Sequence, residues 1–147
     1  MGADLYISKL YKESKAKYEP LFYDAVKARD AETDEAKRDE LQEKVTEAYD
    51  MMHGEGYFRD SYNDSNLMNR LDFSYWRDLD QYATDGVMQP DGAKRLLEYI
   101  VQHRHLLDEC LQAETPENQA YLREKYQEIV RFLEKAIEVN SPIDCSV

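Results

Sequence analysis

The sequence predicts an all-α, single-domain bundle of about five helices over residues 1–147, with an irregular polar segment near residues 57–72. Three observations lead there. Apolar residues recur at steps of three and four over long stretches, the period of a helix with one buried face. Glycine and proline are scarce, 5 and 4 in 147 residues, so few points interrupt the backbone. Charged residues reach 34%, with Glu, Lys, Ala and Leu abundant, which suits solvated helix faces around a modest core.

The first helix is expected from about Asp4 to Arg29, with Ile7, Leu10, Tyr11, Tyr18, Leu21, Phe22 and Ala25 on its inner face. Pro20 removes one backbone donor inside it, but the apolar stripe keeps its phase, so a kink or a tight break is expected there rather than a new domain. Thr33 is placed to cap the second helix, and Asp34 and Glu35 favour its positive end. That helix runs to about His53, with Leu41, Val45, Ala48, Tyr49 and Met52 inward, and Gly54 and Gly56 end it. Residues 57–72 show no periodicity beyond a helical turn near Asn66 to Leu71. A helix is expected from Phe73 to Ala83, Val87-Met88 reads as extended, and Pro90 opens a helix carrying Leu96, Leu97, Ile100, Leu107 and Leu111 inward. Thr115-Pro116-Glu117 combines an N-cap, a proline at the first helical position and an acid. The final helix then presents Leu122, Tyr126, Ile129, Val130, Leu133 and Ile137 on one face, and Asn140 and Pro142 stop it before a short tail.

The formal net charge is −12. It is spread evenly, at −4 for each of residues 1–50, 51–100 and 101–147, so there is no acidic tail or basic arm. Phosphates are repelled by such a surface, which argues against direct nucleic-acid binding and against anionic membranes. No segment approaches the roughly 20 apolar residues of a membrane span. No secretion signal is visible at the N-terminus, and Tyr6 stands where a lipidation motif at Gly2 needs Ser or Thr. The two cysteines, Cys110 and Cys145, make no disulfide framework and are expected to be reduced thiols in a cytoplasmic protein.

The chemistry concentrates in the middle of the chain. Arg59 and Arg77 can hold an anion, with Asp60 and Asp78 orienting them. Tyr62, Asn63 and Asn66 supply neutral donors and acceptors, and Trp76 an aromatic wall. The same residue types also close turns and cap helices, so the patch has a structural reading beside the ligand-binding one. A calcium loop fails the spacing test, because aligning Gly86 at the loop glycine puts Gly92 where an acid is required. His103 and His105 diverge on a helix and no closely spaced Cys pair exists, so zinc is not expected. Ser61 and Ser65 lack a nucleophile elbow, and no glycine-rich phosphate loop occurs. Catalytic residues and cofactors are therefore not expected.

Gly2-Ala3-Asp4-Leu5-Tyr6-Ile7, the run from Gly56 through Asn66, and Trp76-Arg77-Asp78 resemble segments of small uncharacterised bacterial proteins. The resemblance spans most of the chain and implies a bacterial or phage cytoplasmic setting, with no activity to carry over. The expectation is thus an acidic helical binding module whose patch takes a small anionic ligand or a protein partner. Two further classes are a nucleic-acid mimic that inhibits a basic protein, and an enzyme using the same patch.

Overall fold

A computed structural model describes all 147 residues. It contains six helices and a four-stranded antiparallel sheet, so the fold is mixed α and β rather than all-α. The chain order is β1 (Gly2–Ile7), α1 (Ser8–Ala31), α2 (Glu35–His53), β2 (Tyr57–Ser61), α3 (Tyr75–Asp78), β3 (Val87–Met88), α4 (Pro90–Gln102), α5 (Arg104–Leu111), α6 (Pro116–Glu138) and β4 (Ile143–Ser146). Contacts gather it into two compact units: Lys9–Gly56, and Met1–Ser8 with Tyr57–Val147.

The first of these is a helical hairpin. α1 runs unbroken through Pro20 to Ala31, and the cap of α2 is Asp34 rather than Thr33. The Asp34 carboxylate accepts hydrogen bonds from the amides of Ala36 (3.0 Å) and Lys37 (3.3 Å), satisfying two of the donors a helix start leaves open. Val45, Ala48 and Met52 are buried, and Phe22 lies against Tyr49 with ring centroids 5.9 Å apart.

The second unit holds the sheet, in the order β2-β1-β4-β3. Three of its strands stand where the sequence predicts something else. Gly2–Ile7, expected to be helical from Asp4 onward, alternates strictly between half-buried and buried positions. Ala3, Leu5 and Ile7 face the core, as the period of two in a strand requires. Tyr57–Ser61, expected to be irregular, pairs with it in the register Gly2↔Ser61 to Tyr6↔Tyr57. The supposed tail is β4, which pairs β1 on its other side with Leu5↔Cys145 and Ile7↔Ile143. The extended Val87-Met88 closes the sheet as β3.

The helical expectations in this unit are corrected in detail. The helix placed over Phe73 to Ala83 is one turn of α3 followed by a 3₁₀ turn at Leu79–Gln81. The helix opened by Pro90 divides at His103, whose φ of −99° and ψ of 5° separate α4 from α5. α6 starts at the expected place, with the Thr115 hydroxyl accepting from the Asn118 amide at 3.2 Å. Asn140 ends the descent from it with a positive φ of 51°. Leu96 and Ile100 of α4 and Leu122, Ile129 and Leu133 of α6 join the inner sheet residues in the core. Leu97, Val130 and Ile137, expected inward, are only half-buried, and Phe132 and Ala136 are buried instead. No helix is long and apolar enough to cross a membrane.

Candidate functional site: an uncharged recess beside Trp76

The segment between β2 and α3 is held in place from below. Successive strand residues point to opposite faces, so Arg59 and Asp60 part company on β2. Asp60 turns inward and is 1% exposed. Its Oδ1 accepts from the Leu67 amide at 2.8 Å. Its Oδ2 accepts from the Met68 amide at 3.1 Å and the Tyr75 hydroxyl at 2.8 Å. One buried carboxylate thus ties the 3₁₀ turn Met68–Leu71 and the start of α3 to the sheet. Burial raises the Asp60 carboxyl above its ordinary value, and these hydrogen bonds pull it back down only in part. Burial, and then the charge and hydrogen bond of Asp60, push the Tyr75 hydroxyl well above its ordinary range.

Arg59 turns outward. Its Nη1 donates to both oxygens of Asp4 on β1, at 2.8 and 3.0 Å, and the Tyr57 hydroxyl donates to the same carboxylate at 2.5 Å. Asp60 therefore does not orient Arg59; Asp4, directly across the strand pair, does. β2 is a sheet edge, and two of its outward carbonyls are occupied. Lys125 donates to the Arg59 carbonyl at 3.1 Å, and the side-chain amide of Asn66 to that of Ser61 at 2.6 Å. Both contacts blunt the edge against pairing with another strand.

The turns above are built from short polar side chains. Asn63 closes an Asx turn by accepting from the Ser65 amide at 2.9 Å. Asn66 is buried and accepts from the Asn69 amide at 2.8 Å. Arg70, which nothing in the sequence pattern singles out, gathers the segment. It donates to the carbonyls of Asn66 and Asp64 and to the Glu114 carboxylate. Glu114 also accepts from Asn118, whose side-chain oxygen receives the Ser65 hydroxyl. The Arg70 and Asn118 bonds hold the Glu114 carboxyl below its usual range. Asp72 adopts the left-handed conformation at φ 55°, and the Tyr99 hydroxyl donates to its carbonyl at 2.6 Å.

Of the residues expected to form a site, the fold brings Tyr62, Asn63, Asn66 and Trp76 around one recess of about 90 Å³. Asn69, Phe73, Ser74 and Tyr75 complete its wall, and no charged side chain lines it. Asn69 and Ser74 carry no signal beyond their closeness in sequence to the motif. Arg59, Asp60, Arg77 and Asp78 do not line it. Arg77 is paired with Asp78 at 2.7 Å, as expected, and also lies 3.6 Å from Asp72. That pairing and the Ser74 amide keep the Asp78 carboxyl below its ordinary range. Trp76 is 70% exposed, and its ring packs on Tyr62 at a centroid distance of 4.6 Å. The Tyr62 hydroxyl is buried without a hydrogen-bond partner, the one side-chain polar atom of the protein in that state. Burial is the main reason its acidity is suppressed. No family model, curated protein or solved structure matches the chain.

Proposed function

We propose that this is a binding module that engages a protein partner through Trp76 and the recess beside it. The observation that carries this reading is the protein's single tryptophan, 70% exposed yet held by Tyr62 at the mouth of an uncharged pocket. Trp and Tyr are enriched among the residues that dominate protein interfaces, where a ring fixed before binding loses little conformational freedom. The recess, at about 90 Å³, is well below the roughly 300–1,000 Å³ of small-molecule pockets and matches one inserted side chain better. Arg59 and Arg77 already pair with Asp4 and Asp78, which takes support away from an anionic small ligand.

Trp76→Ala is expected to lower partner affinity by about ten-fold or more while leaving the circular dichroism and unfolding midpoint nearly unchanged. Quantitative capture from a native lysate with wild-type and variant protein measures the first. The emission of Trp76 on adding the recovered partner measures the contact directly. Equal recovery by both proteins, or unshifted emission on binding, overturns the reading.

A further inference from the structure

The recess is not isolated. Tyr62, Asn63 and Asn69 line it on one side and a broad, open trough of about 720 Å³ on the other. Asp64 and Glu114 line that trough and also the next depression, which reaches Glu117 and Tyr121. Shared walls make the three concavities one groove with an aromatic residue at each end, Trp76 and Tyr121. Its charge is lopsided. Arg70, the cation of the trough, spends its guanidinium on two carbonyls and Glu114. The carboxylates of Asp64 and Glu117 accept no hydrogen bond and no ion pair, and both are exposed. One end of the groove is therefore neutral and aromatic, and the other is acidic with unspent charge. At the boundary stands Tyr62, whose hydroxyl is buried and unpartnered.

We propose that this groove receives an extended polypeptide segment, with a neutral planar side chain in the recess and a basic side chain between Asp64 and Glu117. This rests on the binding role given above and assigns the chemistry of the partner. A basic side chain meets two unpaired carboxylates at the acidic end. At the other end, a carboxamide or aromatic ring meets flat apolar walls with Asn and Tyr edges and forfeits no charge to desolvation. A segment with an acidic residue in place of the basic one faces like charges and is rejected.

The test uses the full chain and an array of short peptides. Each peptide carries one Lys or Arg and one Gln, Asn, Phe or Tyr at separations of one to four residues, with Lys→Glu controls. Binding is expected for a subset of the basic peptides and for none of the Glu controls. The double variant D64N/E117Q is expected to weaken binding about ten-fold and to flatten its salt dependence. The protein is acidic throughout, so a second double variant, E43Q/E47Q at two exposed positions of α2, removes the same charge far from the groove in sequence. It is expected to leave affinity within about two-fold, because neither carboxylate lines the groove and an exposed charge without direct contact contributes little. Equal losses in both double variants overturn the proposal and reduce it to the general field of the protein. Peptide binding that depends on Trp76 but ignores the Lys→Glu exchange overturns the charge assignment and leaves the binding role standing. No peptide binding at all overturns the groove, while the lysate comparison with Trp76→Ala still decides the binding role separately.

Discussion

Replacing Asp60 by alanine is expected to destabilise the sheet-containing unit by about 3 kcal/mol, the largest loss from any single substitution in the central segment. The carboxylate is 1% exposed and accepts from the Leu67 and Met68 amides and the Tyr75 hydroxyl. Alanine orphans all three donors, each at about 1–3 kcal/mol when buried. Relief from keeping a charge out of water returns part of that sum. Urea unfolding followed by Trp76 emission reads the loss. Tyr75→Phe alone is expected to cost about 1.5–3 kcal/mol, as a hydrogen bond to a charged group does, and almost nothing further in the Asp60→Ala background. Additive losses would show that Asp60 and Tyr75 are not coupled as their geometry requires.

The same carboxylate gives stability a pH dependence of definite sign. Burial raises the folded-state pKa of Asp60 above the ordinary 3.8 of the unfolded chain. Between those two values the folded protein holds a proton that the unfolded chain has released, so stability falls as pH rises. The contribution is fully present below 3.8 and lost above the folded-state value. Asp78, paired with Arg77, and Glu114, bonded to Arg70, are shifted downward and act oppositely, losing stability as pH falls. The wild-type curve minus that of Asp60→Asn isolates the Asp60 part. A difference curve that is flat, or that climbs with pH, contradicts the assignment.

Gly92→Ala is expected to destabilise the protein by about 2–3 kcal/mol, although alanine is the better helix former by about 1 kcal/mol. Gly92 sits in the first turn of α4, where an added Cβ would lie 2.2 Å from the Tyr82 carbonyl oxygen and 3.1 Å from Met88 Cγ. The first of these is backbone, which does not swing aside as a side chain does. The helix start must move, and with it the contacts of Ala93 and Leu96 in the core. A fall of roughly 10 °C in melting temperature is expected, at about 4–8 °C per kcal/mol for a unit of this size. An unchanged or raised midpoint would mean that α4 and Tyr82 part at little cost.

In the sequence, Gly92 merely failed a calcium-loop test, and its contact with Tyr82 was invisible there. The strands were hidden for related reasons. β1 carries a legible alternation in Ala3, Leu5 and Ile7, but Ile7, Leu10 and Tyr11 also fit the helix that follows, and a short run satisfies both periods. On β2 the inward residues are Phe58 and Asp60, and a buried acid breaks the apolar alternation by which strands are recognised. β4 is four residues long and pairs with β1 from the opposite end of the chain, a contact without local signature. Helices were easier to read because their stripes and caps lie within a few residues, as Thr115-Pro116 did for α6.

The middle segment divides in the same way. That residues 57–78 were chemically unlike their surroundings, rich in amides, aromatic rings and ion pairs, was determined by sequence alone. Which of those groups met was decided only by tertiary structure. Strand alternation sent Arg59 out to Asp4 and Asp60 into the core, and the turns that Asp60 anchors carried Trp76 onto Tyr62 beside three asparagines. Local patterns set the type and caps of the helices, because hydrogen bonds within an element close over three or four residues. The sheet, the recess and the groove depend on partners up to a whole chain length apart, which become neighbours only once the core has formed.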